Sequence, residues 1–208
     1  MGEDAREPAH KSPVDSTDAV WASFLVSFPP DVVQRHCRDV EVMYRVNPYY
    51  YFDVWRRTGP ETFHVEFENQ SNKTHLSLDL NVMPESGRGL TIAYIGGIKK
   101  RTVFTVEPAR EGSRITITDD YDLLPIKERE ERKAEIDKSL NDWAEALRIY
   151  FLRLKRWSWL PGWRWYLRRV WIPMKPSARR IVWLVYLITV AEFFFFLFVL
   201  LIYVLEQD

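Results

Sequence analysis

The 208-residue chain contains one cysteine, Cys37. A single thiol excludes an intrachain disulfide and a cysteine-rich zinc site, so Cys37 is read as a small buried or half-buried side chain. Glycine is sparse, with eight in all. Gly59, Gly87, Gly89, Gly96, Gly97 and Gly112 stand where turns are expected, and none has phosphate-loop spacing. The first 18 residues, "MGEDAREPAHKSPVDSTD", have no apolar core, which excludes a signal peptide. They are acidic, polar and proline-containing, so residues 1–18 are expected to be disordered. Arg6 stands where a myristoylation signal needs Ser or Thr.

Charge of one sign is missing from a whole region. Between Ala146 and Arg180 there is no Asp or Glu, but there are ten Lys or Arg. The zero net charge of the chain, 29 basic against 29 acidic residues, conceals this. The first 145 residues carry 19 basic and 26 acidic side chains, a net of −7. An acidic body therefore leads into a basic collar. The collar is followed by an apolar run, an order that points to a membrane surface and away from nucleic acid.

That run is "IVWLVYLITVAEFFFFLFVLLIYVL", Ile181 to Leu205. As a helix it would be about 37 Å long, enough to cross a hydrocarbon core of about 30 Å with some tilt. Glu192 lies in its middle. Nineteen of the 25 residues are Leu, Ile, Val or Phe. Each favours insertion by roughly 0.3–0.6 kcal/mol near mid-helix, against roughly 3 kcal/mol for a central charge. The apolar sum wins, and a transmembrane helix over 181–205 is expected. Lys175, Arg179 and Arg180 precede it; only Glu206, Gln207 and Asp208 follow. The positive-inside rule then puts the body in the cytoplasm and makes the helix a tail anchor. The expected location is a single-pass membrane protein, in a bacterial inner membrane.

The collar, residues 158–180 with Trp157 at its edge, is rich in tryptophan. Trp157, Trp159, Trp163, Trp165 and Trp171 are five of the nine in the chain. Indole favours the headgroup region because it joins an apolar ring to a polar N–H. Pro161-Gly162 should break the chain, and a short helix over 163–172 would turn Trp163, Leu167, Val170 and Trp171 to lipid. Arg164, Arg168, Arg169, Arg179 and Arg180 would meet headgroups. Packing of these tryptophans on protein is the competing reading.

Residues 19–157 read as one α+β domain. "AVWASFLVSF" alternates as a strand, with Ala22, Phe24, Val26 and Phe28 on one face. Pro29-Pro30-Asp31 opens a helical stretch that Asn47-Pro48 closes. Strand patterns follow in "YYYFDVW", "TFHVEFEN", "THLSLDLNV", "GLTIAYI", "KRTVFTVE" and "SRITITDDYD". After Pro125 the period becomes helical: Ile136, Leu140, Trp143, Leu147, either Tyr150 or Phe151, and Leu154 mark the apolar stripe of a helix of roughly thirty residues. Glu128, Glu130 and Glu131 near its start and Arg153, Lys155 and Arg156 near its end suit the helix dipole.

This order of elements, with "FLVSFPPDVVQRHCRDVEVMYRVNPYY" at its start, resembles the START-like helix-grip superfamily (SRPBCC), which includes polyketide cyclase-like and lipid-transfer proteins. Pro30, Asp39 and Asn47-Pro48 stand where its members often have a helix start, an Asp and an Asn-Pro pair. The membrane helix is not part of the common pattern. The resemblance implies a curved antiparallel sheet of about seven strands wrapped on a long C-terminal helix, with an apolar ligand between them. Phe67, Leu78, Tyr94, Phe104, Ile117, Trp143, Leu147 and Tyr150 are the candidate lining residues; ordinary core packing is the alternative for each.

No catalytic constellation emerges. His10 lies in the lead-in, and His36 and Cys37 are adjacent, so a helix would turn them about 100° apart. His64 and His75 should face solvent beside Glu66 and Asp79, as neighbours across a hairpin. That group would suit a metal, although a solvated polar face is the simpler reading. No cofactor or metal is expected. Three functions stay open. One is the binding of a lipid or other hydrophobic molecule at the membrane. Another is an accessory or assembly role in a membrane complex, with Glu192 meeting a partner helix. The third is a cyclase-like enzyme. Membrane lipids, a hydrophobic ligand and a membrane protein are the expected partners.

Overall fold

A computed structural model describes residues 19–85, 89–97, 99–121, 126–157 and 159–207. The expected disordered lead-in 1–18 and the turn at Gly87 lie outside these residues, as do the side chains of Glu128, Glu130, Glu131 and Ile136. The chain divides into two compact units, one ending at Pro161 and the other beginning at Gly162. Gly162 takes a left-handed φ of 82°, so the chain breaks at the expected Pro-Gly pair.

The first unit opens with strand β1 (Ala19–Val26), whose alternate residues Ala22, Phe24 and Val26 are buried. Two short helices follow, α1 (Pro30–Cys37) and α2 (Val40–Arg45), where one helical stretch is expected from the sequence. The break has a packing reason. Val33 and Cys37 are buried on α1, and Val40, Val42, Met43 and Tyr44 are buried on α2. On one continuous helix Val42 would point about 180° from Val33. Interrupting the helix at Arg38-Asp39 lets both turn inward.

Six strands come next: β2 (Tyr50–Arg57), β3 (Thr62–Asn69), β4 (Thr74–Glu85), β5 (Gly89–Ile95), β6 (Arg101–Ala109) and β7 (Gly112–Asp120). With β1 they form one antiparallel sheet in the order β1-β7-β6-β5-β4-β3-β2. Every neighbour after the first pair is a sequential hairpin, so the sheet is a meander closed at one end by the return of β1 to β7. Gly112, at the β6–β7 turn, has φ 136°, and a Cβ there would strike the carbonyl oxygen of Val26. That turn admits glycine only. The register shifts at Asp53, where β2 bulges between Phe52 and Val54.

Helix α3 (Ile126–Arg156) covers the inner face. Leu140, Trp143, Ala144, Leu147, Phe151 and Leu154 are buried along it, as its apolar period predicts. Trp143 packs edge-on against Phe104, with ring centres 5.5 Å apart, and donates its indole N–H to the carbonyl of Met43 at 2.9 Å. Fully burying such side chains contributes about 1.5–3 kcal/mol each.

The second unit holds a short helix, α4 (Trp163–Tyr166), a π-helical turn (Leu167–Trp171) and the long helix α5 (Pro176–Gln207). Pro176 at the first helical position costs no hydrogen bond. Within α5, residues Ala178–Leu205 form a helix long and apolar enough to cross a membrane.

Candidate functional site

The inner faces of β2, β3 and β4 point Phe52, Val65, Phe67, Leu76, Leu78 and Leu80 into a common space, because alternate residues of a strand share a face. Helix α3 does not fill that space. A cavity of about 240 Å³ remains, slightly below the usual range for sites of drug-sized ligands. Asn69, Ser71, Asn72 and Thr74, at the turn between β3 and β4, line its polar margin.

The far wall is polar and ionisable. Lys99, Tyr44, Tyr94 and Tyr121 line the cavity. Lys99 Nζ lies 2.5 Å from Asp119 Oδ2, with only 13% of the lysine side chain and 1% of the aspartate exposed. The hydroxyl of Thr102 donates to Asp119 Oδ1. Tyr94 and Thr102 share a hydrogen bond of 2.7 Å, and the hydroxyls of Tyr44 and Tyr94 are hydrogen-bonded to each other. Tyr121 donates to Asp119 Oδ2 across a long 3.4 Å. The ammonium also sits near the faces of Tyr121 and Trp143, at 5.5 and 5.7 Å from the ring centres.

The electrostatics keep every proton in place. Burial is the largest single influence on Lys99 and opposes its charge, but Asp119 together with the surrounding Tyr121, Tyr50 and Tyr94 holds the ammonium well above the ordinary lysine range. Burial pushes the phenols of Tyr44, Tyr94 and Tyr121 upward, so all three stay neutral. Outside the cavity, burial raises Cys37 to about 12, so its thiol is inert.

Of the eight candidate lining residues, Phe67, Leu78 and Tyr94 line the cavity. Phe104, Ile117, Trp143 and Leu147 are fully buried in the filled part of the core, and Tyr150 is half-buried on α3. Lys99, Thr102 and Asp119 were not anticipated from the sequence. A signal for two of them exists there: Asp119 continues the inward set Ile115, Ile117, Tyr121, and Thr102 belongs to the inward set Phe104, Val106. A carboxylate in an apolar register needs a partner.

The histidine pair does not form. His64 stands directly opposite Asp79, whereas His75 stands opposite Glu68. The register separates the two histidines by four positions, roughly 13 Å along the ladder. His64 instead bonds Asp79 at 2.8 Å and Glu66 at 3.3 Å. Among the described residues no group of three or more His, Cys, Asp or Glu is arranged to hold a metal ion.

In the collar, Trp157, Trp159 and Trp165 are exposed, as are Arg168, Arg169 and Arg180, while Trp163 and Trp171 are half-buried. Leu167, one of the residues expected to face lipid, is buried instead. It lies in the π-helical turn, which alters the spacing that a regular helix would have given. Arg179 turns back to donate to the carbonyls of Trp171 and Ile172 at 3.0 and 2.6 Å. Glu192 is exposed at the middle of α5.

No protein-family model and no curated protein matches the sequence. Solved structures do. The chain is similar to the Zhui aromatase/cyclase from Streptomyces sp. R1128, at 14% identity and a TM-score of 0.55 over 67% of this chain and 96% of that one. A Thermobifida fusca protein solved by NMR is 22% identical, with a TM-score of 0.51 over 66% and 95%. A START superfamily protein from Mycobacterium smegmatis is 14% identical, with a TM-score of 0.50 over 65% and 98%. Identities this low speak to fold alone. Together with the seven-stranded meander and the long helix across its inner face, they establish that the body of this chain has the START-like helix-grip fold.

Proposed function

We propose that this protein binds a lipid or another hydrophobic small molecule at a membrane surface, with α5 holding the helix-grip domain there. The observation that carries the reading is the cavity: apolar on the β2–β4 side, polar at one wall, and open in a fold whose core is otherwise tightly filled. Membrane attachment is supported by α5, whose apolar side chains are exposed all round, from Ile181 to Leu205. An apolar surface of that extent is unfavourable in water and neutral in hydrocarbon. The exposed tryptophans and arginines of the collar suit a headgroup layer. The positive flank before α5 favours a cytoplasmic body.

Mass spectrometry of the full chain, released from its native membrane in mild detergent, tests this reading. A hydrophobic molecule should accompany wild-type protein at near-stoichiometric level and disappear from Leu78→Trp, which fills the cavity. Repeated release without any such molecule would end the proposal.

Glu192 supports a second reading, in which α5 joins a membrane complex. A carboxylate in the hydrocarbon region is costly without a partner. Glu192→Leu should then abolish co-purification of a specific membrane protein; an unchanged set of partners argues against it. A cyclase-type reaction would need a proton acceptor at the cavity wall. Asp119, the wall's carboxylate, already accepts from Thr102, Lys99 and Tyr121.

A further inference from the structure

The hydrogen bonds of the cavity wall have only one consistent direction. A hydroxyl has one hydrogen to donate. Thr102 gives its hydrogen to Asp119, which as a carboxylate only accepts. In the 2.7 Å bond between Tyr94 and Thr102, Tyr94 must therefore be the donor. With that hydrogen used, Tyr94 must accept from Tyr44. The chain runs Tyr44 to Tyr94 to Thr102 to Asp119, and none of these three hydroxyls has a hydrogen left for a ligand.

Lys99 approaches Asp119 from the other side. An ammonium has three N–H donors. Asp119 takes one, and the ammonium stands beside the Tyr121 ring. A remaining N–H is the donor that this network can offer to a molecule in the cavity, which Lys99 lines. The wall nevertheless has no net charge, because Asp119 cancels Lys99. Among the described lining residues Lys99 is the one cation. A buried anionic ligand would find no uncompensated positive charge and would lose its hydration. A pure hydrocarbon would leave the remaining N–H without an acceptor, and a buried unmet donor is costly.

We infer that the cavity selects an uncharged, largely apolar molecule bearing a carbonyl-type acceptor oxygen at one end, with that oxygen on Lys99 and the apolar body against Phe67, Leu78 and Leu80. This deepens the proposed binding function and rests on it.

The test uses the full chain in lipid nanodiscs and three two-ring probes of similar size: 2-acetylnaphthalene, naphthalene and 2-naphthoate. Affinities are measured by equilibrium dialysis, with empty nanodiscs subtracted. The ketone should bind roughly tenfold more tightly than either of the others, the size expected for one hydrogen bond from a charged donor. The double variant Lys99→Met/Asp119→Asn removes both charges and so avoids stranding one. It should bring ketone and naphthalene to equal affinity, the ketone binding more weakly than to wild-type protein and naphthalene more tightly, because no donor is then left unmet. Equal binding of ketone and hydrocarbon by wild-type protein, or tightest binding of the naphthoate, overturns the inference, provided that Leu78→Trp still blocks the probes. Failure of every probe to bind in a manner sensitive to Leu78→Trp overturns the binding function itself, and the inference with it.

Discussion

The inner face of the sheet has a filled half and a hollow half. Over β1, β7 and β6, the side chains of α3 interlock with the sheet and its exit: Trp143 against Phe104 of β6, and Phe151 against Phe28 in the bend just after β1. Over β2, β3 and β4 the same alternation of apolar residues ends in open space. Both halves are built from the same residue types, so hydrophobic pattern does not decide which is hollow. The difference lies in what faces each strand. Large side chains of α3 meet the first half, whereas among the described residues Ser139 is the one from α3 that lines the cavity. The ion pair of Lys99 and Asp119 sits at the seam, where the packed core gives way to the void.

The largest expected effect compares two truncations across that seam. Trp143 is 1% exposed and packed against Tyr44 and Phe104. Trp143→Ala should cost about 3–5 kcal/mol by the usual penalty for an aromatic lost from a tight core. Leu78 is also buried, at 6% exposed, but it borders an existing cavity. Leu78→Ala should fall at the low end of the leucine range, about 2 kcal/mol. Chemical denaturation of the full chain in detergent, followed by tryptophan fluorescence for Leu78→Ala and by circular dichroism for both, checks this. Equal losses would mean that the hollow half is as tightly packed in solution as the filled one.

The seam itself should respond more to breaking the pair than to removing it. Asp119→Ala strands a buried ammonium and leaves Thr102 without its acceptor, a loss of about 3 kcal/mol. Adding Lys99→Met to Asp119→Ala should recover much of that, because the uncompensated charge is then gone. A double variant as unstable as Asp119→Ala would assign the loss to the hydroxyl chain rather than to charge.

The fold was legible because its periodicities are clean. Ile115, Ile117 and Tyr121 read as one face from spacing alone, and so do Leu140, Trp143 and Leu147. The division of Pro30–Arg45 into two helices was not legible, since the break depends on which side of Val42 faces the core. Within the site, Phe67, Leu78 and Tyr94 were reachable as inward residues of their strands. Phe104 and Ile117 are equally inward, and only the side chains opposite them exclude them from the cavity. Lys99 lies in the connection before β6, where period carries no information about direction. The spacing of the two histidines depended on the register between β3 and β4, which the strand patterns leave open by two residues at a time.

The smallest effect belongs to the outer face of the same strands. His64 and Asp79 face each other across β3 and β4, behind the wall that carries Val65 and Leu78. This charged pair resembles Lys99 and Asp119 in composition and differs in exposure, with 58% of the Asp79 side chain exposed against 1% of Asp119. The hydrogen bonds that the His64 ring donates to Asp79 and Glu66 raise its pKa above the ordinary 6.5. A raised histidine pKa contributes stability that is fully present below about pH 6.5 and is lost as pH rises through the folded value. Asp79→Asn should therefore lower the His64 titration midpoint, read by NMR, toward 6.5. It should leave the unfolding midpoint at pH 8 unchanged and lower it slightly at pH 5.5. Solvent screening keeps such an exposed pair weak. A loss at pH 5.5 as large as that of Asp119→Ala would show that exposure does not set the worth of these two pairs, and would remove the contrast between the sheet's two faces.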